Sequence, residues 1–204
     1  MEEILVSACE VLVRDGYAGF NLRKVAAEVG VQLRTVQYHF KNREALLGAA
    51  VERALIEWGR AYFDIVKTPE SAEQKLRDVL RLNLDLTERP STSQLLLECF
   101  ALAQHDALIR EIVQSQYYEY RRLIAKLLHE IRPDLSDEGT MGFATVFAAQ
   151  MEGLTVVLHS DDPNRPNEAA LRLALDVQCD AFISALREHR EPGARVGRGA
   201  TERR

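Results

Sequence analysis

The sequence predicts an all-α fold with a three-helix head over residues 1–47 and a six-helix body over residues 48–190, about nine helices in total. Apolar residues recur at three- and four-residue spacing almost throughout, and no stretch alternates strictly between polar and apolar residues as a half-buried strand does. Residues favoured at helix starts and stops separate these apolar segments. Because the helical period ends beyond Pro192, we expect residues 191–204 to form a disordered tail.

Composition is that of a soluble globular chain, with 47% hydrophobic and 28% charged residues among 204. No run approaches the roughly 18 unbroken apolar residues of a membrane span, and acidic residues stand where a secretory signal has basic ones. We therefore expect a cytoplasmic protein without membrane association. Cys9, Cys99 and Cys179 lack the spacing of a metal site or redox pair, so they are interpreted as small buried hydrophobes, and no metal or cofactor is expected.

Local stop and cap signals delimit the head helices. Gly16 suits a left-handed stop after the first helix, and Gly30 suits the same role after the second. Asn21 and Asn42 have side chains that cap the starts of the second and fourth helices. The expected bounds are about 3–14, 21–29 and 33–39, with a long fourth helix beginning after residue 42.

Proline and capping residues divide the body in the same way. Ser71 is followed three residues later by Gln74, the spacing of a capping box, and Pro90 with Ser91 marks the next start. Ser136 or Asp137 is expected to cap a later helix. The expected helices cover about 72–88, 92–104, 106–131, 137–159 and 168–189, with a loop over 160–167.

The charge is distributed unevenly along the chain. The net charge is −5, yet residues 14–43 contain six basic and two acidic residues, a charge of +4, so the remainder carries −9. A positive end on an acidic body favours a phosphate backbone at that end and repels it elsewhere. Any small basic patch would produce the same asymmetry.

The tight turn Gly30-Val31-Gln32 between the second and third helices has the spacing of a helix-turn-helix unit, although other helical bundles also contain such turns. The ordered residues 20–31 (FNLRKVAAEVGV) and 35–47 (TVQYHFKNREALL) resemble the signature of the TetR family. This resemblance implies a homodimeric regulator of transcription, commonly a repressor, that reads operator DNA through the third helix and responds to a small-molecule effector.

The outward residues of the second and third helices and of the following turn are the expected DNA contacts. Arg34 suits guanine, Gln37 suits adenine, and Thr35 suits a thymine methyl group or a phosphate. The full expected set is Arg23, Gln32, Leu33, Arg34, Thr35, Gln37, Tyr38, His39, Lys41 and Arg43. Of these, the members that suit phosphate, which positions the head without reading sequence, are Arg23, Tyr38, His39, Lys41 and Arg43. His39 could instead pack at the helix end. Asn21, Gln37 and Leu33-Arg34 depart from the usual family pattern, which leaves the operator sequence open.

The segment 140–159 is apolar on more than one face. One stripe contains Phe143, Phe147, Met151, Leu154 and Leu158, and the other contains Val146, Ala149, Gly153, Val156 and Val157. The resemblance implies that the last two long helices form the dimer interface, where the expected residues are Phe143, Leu154, Leu158, Leu171, Leu175, Gln178 and Phe182. The alternative is that both stripes serve the monomer core. Two heads also suit a roughly palindromic site.

The resemblance implies an effector site among the middle helices. The candidates are Trp58, Tyr62, Phe63, Glu98, Phe100, Tyr117, Tyr120, Phe147, Gln150 and Met151, with Glu152 and His159 as further polar contacts. Aromatic faces near a carboxylate suit a cation, although aromatic residues at helical spacing are often plain core. The run 150–154 and the final helix are also faintly similar to the betaine-biosynthesis repressors, which does not identify choline.

Two other functions are alternatives to a ligand-responsive regulator. A DNA-binding regulator without a small-molecule effector would have a dense body with no ligand-sized cavity. An enzyme would need a catalytic set, and the closest arrangement is the cluster His159-Ser160-Asp161-Asp162. These residues are consecutive at a helix end, where Ser and Asp commonly form loops, so no enzymatic activity is expected.

Overall fold

The computed structural model describes residues 1–158 and 163–189, and in those residues the chain is helical with no strand. The helices are α1 (Glu2–Gly19), α2 (Leu22–Val29), α3 (Leu33–His39), α4 (Arg43–Val66), α5 (Ala72–Thr87), α6 (Pro90–Ala103), α7 (Ala107–Ile131), α8 (Asp137–Leu158) and α9 (Glu168–Glu188). The all-α prediction is confirmed. The expected tail and the His159-Ser160-Asp161-Asp162 cluster lie outside the described residues.

Side-chain caps set most of the helix starts. The cap side chains each accept a hydrogen bond from a backbone N–H three residues on, which satisfies a donor that the helix itself leaves unpaired. They are Asn21, Asn42, Ser71, Asp106 and Asn167, and Ser136 does the same from Gly139 at the start of α8. Of the two candidates for the α8 cap, the structure therefore selects Ser136.

Three local details differ from expectation. Gly16 interrupts α1 with a φ of 64°, but helical structure resumes for one more turn to Gly19. α6 begins at Pro90, which fits the first helical turn because proline has no N–H to leave unpaired, so Ser91 is not the cap. The capping box at Ser71 is half formed, since the Gln74 side chain donates to Asp78 (2.9 Å) rather than back to the cap.

Two hydrophobic cores organise the chain. The head core contains the buried residues of α1 to α4 and α6, with Ile109 and Val113 of α7. The body core contains the buried residues of α5, α8 and α9, with Tyr62 of α4 and residues 123–128 of α7. Because α4, α6 and α7 take part in or adjoin both, the head is packed onto the body through them.

α9 packs on α5 and is held there by arginine–carboxylate pairs. Two arginines of α5 pair with aspartates of α9, Arg77 with Asp180 and Arg81 with Asp176. Two arginines of α9 pair with acidic residues of α5, Arg172 with Asp85 and Arg187 with Glu73. Exposed pairs of this kind each contribute little to stability, roughly 0–1 kcal/mol, but together they fix which face of α9 turns inward. The opposite face of α9 is left exposed.

The cysteines are free thiols. Cys99 and Cys179 are buried, as predicted, whereas Cys9 is only half-buried and donates to the Ala50 carbonyl (3.4 Å). Burial raises the pKa of Cys99 to about 12 and that of Cys9 and Cys179 to about 11. All three thiols are therefore protonated and weakly nucleophilic at neutral pH.

Candidate DNA-binding face, dimer face and effector cavity

Helix α3 presents the expected reading surface. Val36 is completely buried and anchors the helix, while Arg34, Thr35 and Gln37 are exposed. Tyr38 is 85% exposed, an unusual position for an aromatic side chain that lacks a partner surface. These side chains therefore lie together on the outer face of the helix-turn-helix unit.

The ends of α3 sort the remaining candidates. His39 is exposed and its ring meets the Tyr38 ring edge-on (5.1 Å between centroids), so it is not the packed residue of the alternative interpretation. Gln32 is exposed at the N-cap of α3. Leu33, by contrast, packs against the head core, so the structure gives it a packing role rather than an outward one.

Intramolecular ion pairs neutralise part of the excess positive charge of the head. Lys24 pairs with Asp15 (2.8 Å) and Arg14 pairs with Glu28 (2.7 Å). The hydrogen bonds from Lys24 and Arg14 lower the pKa of the Asp15 carboxyl below its ordinary value. In the described chain Arg23, Arg34 and Lys41 are exposed and form no ion pair, so these three carry the positive charge available to a phosphate backbone.

Arg43 differs from the expectation of an outward phosphate ligand. Its guanidinium lies 3.9 Å from the centre of the Tyr17 ring and donates a hydrogen bond to the Tyr17 carbonyl. Glu98 of α6 accepts a hydrogen bond from the Tyr17 N–H (2.8 Å). Tyr17 thus joins the start of α4 to α6, and Glu98 lies at this head–body junction rather than in the effector cavity.

The outer sides of α8 and α9 form an exposed apolar surface, which we call the α8–α9 face. Its largest members are 56–70% exposed, and small residues lie between them. The face contains Val146, Ala149, Gly153, Val156 and Val157 of α8 with Leu173, Ala174, Val177 and Ala181 of α9. A group of exposed apolar side chains of this size marks an interaction site on a protein surface.

The structure corrects two of the expected dimer residues and places four others partly against the monomer core. Leu158 and Leu175 are buried in the body core, and the expected residues Phe143, Leu154, Leu171 and Phe182 pack against that core. The Phe143 and Phe182 rings meet at 6.3 Å within the monomer. Gln178 alone of the expected set is exposed beside the α8–α9 face. The reason is that α5 and α7 cover the first apolar stripe of α8, so the second stripe remains outside.

The same two-sided apolar character makes α8 long and apolar enough to cross a membrane, judged by length and composition alone. The sequence expectation had considered only unbroken apolar runs. One side of α8 is packed in the body core and the other belongs to the α8–α9 face. The composition of α8 therefore reflects packing in the core on one side and an exposed apolar surface on the other.

A partly open cavity of about 90 Å³ lies among helices α4 to α8. This volume is well above the roughly 10–15 Å³ that a cavity needs to hold one water molecule. Its lining comprises Leu55, Trp58, Gly59, Tyr62, Phe63, Asn83, Leu86, Thr87, Thr92, Ser93, Leu96, Gln116, Tyr117, Glu119, Tyr120, Leu123, Glu152 and Thr155.

The cavity contains six of the sequence candidates: Trp58, Tyr62, Phe63, Tyr117, Tyr120 and Glu152. The other candidates lie elsewhere. Phe147 and Met151 are buried in the body core, and Gln150 is exposed on the outside of α8. Phe100 contacts the Tyr117 ring (5.7 Å between centroids) without lining the cavity. His159 lies outside the described residues.

Tyrosine rings and one carboxylate form the inner wall. The Tyr62 and Tyr120 ring centroids are 4.9 Å apart, and those of Tyr117 and Tyr120 are 6.4 Å apart. Tyr117 hydrogen-bonds to the Glu152 carboxylate, whose Oε2 is buried without a partner in the described residues. Burial raises the pKa of Glu152, and the Tyr117 hydrogen bond opposes that rise.

The charged side chains in the described lining of the cavity are all acidic. Its described lining includes no Lys, Arg or His side chain. Glu119 lies at the lining as well, but Arg122 pairs with it (3.2 Å), so its charge is balanced outside the cavity. Glu152 is thus an uncompensated carboxylate among aromatic rings, an environment that attracts an organic cation.

Sequence reasoning missed the polar residues that α5 and α6 bring to the cavity. Asn83, Thr87 and Ser93 are each at least 95% buried, and the Thr87 hydroxyl meets that of Thr155 at 3.2 Å. A usable signal was present, because Asn83 and Thr87 interrupt the otherwise apolar face of α5. Buried polar residues of this kind ordinarily have hydrogen-bonding partners, so they point to a polar site.

Comparison with known proteins agrees with this geometry. Residues 4–50 match the family described as "Bacterial regulatory proteins, tetR family", and residues 72–184 match the family described as "BetI-type transcriptional repressor, C-terminal". An HTH-type transcriptional regulator in the dhlA 5' region of Xanthobacter autotrophicus is 25% identical over 165 residues, which cover 76% of this chain and 77% of that protein.

Solved structures share the fold. The crystal structure of a transcriptional regulator from Rhodococcus sp. Rha1 superposes with a TM-score of 0.76 at 20% identity, covering 90% of this chain and 96% of that one. A transcriptional regulator from Saccharomonospora viridis, solved in complex with choline, gives a TM-score of 0.73 at 19% identity, with coverage of 90% and 94%.

A helix-turn-helix head on an all-helical body is the architecture of many transcription regulators. The chain belongs to the TetR family of bacterial regulatory proteins, with a C-terminal region of the BetI repressor type. It is therefore a DNA-binding regulator of the repressor class, and proteins of this fold and family are generally not enzymes. In the residues that the structure describes, no group of three His, Cys, Asp or Glu side chains is placed to hold a metal ion.

Proposed function

We propose that the protein is a cytoplasmic homodimeric repressor that leaves its operator when a small organic cation binds the cavity. Arg34 and Gln37 read bases in the major groove, with Thr35 beside them, because they are exposed on one face of α3. Arg23 and Lys41 hold phosphates on either side, and Tyr38 and His39 add contacts to the backbone. Two such heads bind a roughly palindromic site.

The ligand proposal rests on the buried environment of the Glu152 carboxylate. A carboxylate with a buried, unpartnered oxygen is unfavourable in a folded protein, since its hydration is lost without compensation. A bound cation compensates for the lost hydration of the carboxylate, and the aromatic rings of Tyr62, Tyr117 and Trp58 pack against its alkyl groups. The choline complex of the similar regulator supports the same class of ligand.

The route from cavity to head follows two helices. α4 starts at the head with Arg43 and reaches the cavity with Trp58 and Tyr62. α6 lines the cavity with Ser93 and, less than two turns later, holds the head through Glu98. A ligand that moves either helix therefore changes the position of the head.

The pivot for this movement lies at Gly48, in the second turn of α4. A Cβ atom there would come within 2.8 Å of the Leu108 side chain, so the α4 backbone packs directly on a side chain of α7. This contact lets the head end of α4 swing without separating the helices. In a dimer, such a swing alters the separation of the two α3 helices and weakens the fit to successive major grooves.

Selection of DNA fragments by the purified full-length protein, followed by fluorescence anisotropy on the enriched site, tests the proposal. We expect a symmetrical site and a dissociation constant that rises at least about tenfold at saturating cation. A panel of small ammonium compounds serves as the probe, and neutral compounds of equal size serve as controls. Unchanged DNA affinity throughout the panel would favour the alternative of a regulator without a small-molecule effector.

A further inference from the structure

The cavity holds a second unpartnered acceptor besides Glu152. Asn83 of α5 is 5% exposed, and its Nδ2 donates to the Tyr62 hydroxyl (3.5 Å). Its Oδ1 accepts no hydrogen bond within the described chain. A buried amide oxygen without a donor is disfavoured in proteins, and a site that keeps one is built for a donor from elsewhere.

The neighbouring hydroxyl groups are already engaged. Thr87 and Thr155 hydrogen-bond to each other (3.2 Å), and the Tyr120 hydroxyl contacts the Met151 sulfur (2.6 Å). The Tyr117 hydroxyl lies close enough to the Glu152 carboxyl to lower its pKa, but it makes no hydrogen bond to Oε2. The Asn83 Oδ1 and Glu152 Oε2 atoms are therefore the two acceptors that face the cavity without a donor from these side chains.

We infer that the effector is an organic cation with at least two hydrogen-bond donors, one at the charged nitrogen for Glu152 and one for Asn83. This inference rests on the proposed function and narrows it. A protonated tertiary amine with a hydroxyl group has both donors, whereas a quaternary ammonium with a hydroxyl group has one. The quaternary compound leaves one buried acceptor unpaired, and that loss is greater than the gain from one extra methyl group.

A methylation series measures this preference directly. The probes are N,N-dimethylethanolamine in its protonated form, choline and tetramethylammonium, which have two, one and no donors. Isothermal titration of the full-length protein at neutral pH is expected to show choline binding at least about tenfold more weakly than dimethylethanolamine, with tetramethylammonium weaker still. Choline binding as tightly as dimethylethanolamine, or more tightly, would overturn the inference.

A variant separates donor count from ligand size. Asn83→Leu removes the acceptor for the hydroxyl group with little change in side-chain volume, so the preference for choline over tetramethylammonium should fall to about twofold or less. The preference for dimethylethanolamine over choline, which depends on the N–H donor and Glu152, should remain. The control Leu96→Met alters an apolar part of the lining and should keep the wild-type ratio. If Asn83→Leu retains the full preference for choline over tetramethylammonium, the hydroxyl group does not donate to Asn83 and the inference is wrong.

The outcomes distinguish the two proposals. Binding of all three cations with equal affinity refutes the two-donor inference and leaves the cation-responsive repressor standing. Failure of every cation to bind refutes the proposed ligand class and the inference with it. The wild-type series needs no variant, so the test stands even if Asn83→Leu does not fold.

Discussion

Val177→Asp tests whether the α8–α9 face joins two subunits. Val177 is 61% exposed at the centre of α9, and Leu173 one turn earlier is 66% exposed. If the face is buried in a dimer, a charge at this position has to lose its hydration without an opposite charge. The twofold symmetry of a homodimer places the change in the interface twice.

The magnitude follows from the exposed fraction. Full burial of a valine side chain contributes about 1.5 kcal/mol or more, so burying the exposed part contributes roughly 1 kcal/mol per subunit. An unpaired buried carboxylate adds an unfavourable desolvation term of at least about 1 kcal/mol per subunit. Together the two subunits lose at least about 4 kcal/mol of association free energy, which raises the dimer dissociation constant about a thousandfold.

Sedimentation equilibrium measures the association, and Leu175 provides the matched comparison on the same helix. Leu175 is 5% exposed in the body core, so Leu175→Ala should lower the free energy of unfolding by about 2–5 kcal/mol while the face stays intact. Tyr118→Asp, on an exposed residue of α7, should leave the dimer unchanged. A Val177→Asp protein that dimerises as tightly as wild type would refute the assignment of this face.

Four further substitutions test the head and the cavity. Arg34→Ala should reduce discrimination at one base pair of each half-site by about 1–3 kcal/mol. Arg23→Ala should weaken binding to all sequences and lower the slope of log affinity against log salt concentration by about one per subunit. Fluorescence anisotropy at several salt concentrations measures both effects. Arg43→Ala should lower the free energy of unfolding by about 1–3 kcal/mol in urea titrations, because it loses the stacking on Tyr17 and the hydrogen bond to its carbonyl. Glu152→Gln should raise the thermal midpoint at neutral pH by removing a buried unpaired charge, and should weaken cation binding about 10- to 100-fold.

The pH dependence of cation binding has a definite sign. Burial raises the pKa of Glu152, so the carboxyl becomes protonated at a higher pH than an exposed glutamate does. Cation affinity should therefore fall as the pH decreases through this raised pKa. In the ligand-free protein, the raised pKa of Glu152 means that the folded state is stabilised when this carboxyl is protonated. This stabilisation is complete below the ordinary carboxyl pKa and is lost as the pH rises through the raised pKa of the folded state. Affinity that is independent of pH would contradict the role of Glu152.

The head could be predicted almost completely from sequence, because its signals are local. Asn21, Gly30 and Asn42 each act through neighbouring backbone groups, and each lies where the pattern places it. Arg43 shows the limit of such reasoning. Its stacking partner Tyr17 is 26 residues away, and no local pattern distinguishes an arginine that faces phosphate from one that packs on a distant ring.

The body depends more on packing between distant helices. The two apolar stripes of α8 are visible in the sequence, but which stripe is covered depends on where α5 and α7 lie. Leu158 therefore belongs to the core, and Val156 is 60% exposed. For the cavity, aromatic candidates such as Tyr62 were found by type, while Asn83 was missed because helix α5 was not expected to line it.

The central claim is that a cation in the cavity and DNA at the head exclude each other. The most direct measurement is the dissociation constant for the selected operator with and without saturating cation, in the wild type and in two variants. The account predicts at least about a tenfold weakening in the wild type and in the control Glu119→Gln, and none in Glu152→Gln at the same cation concentration. Equal operator affinity with and without bound cation in the wild type would contradict it.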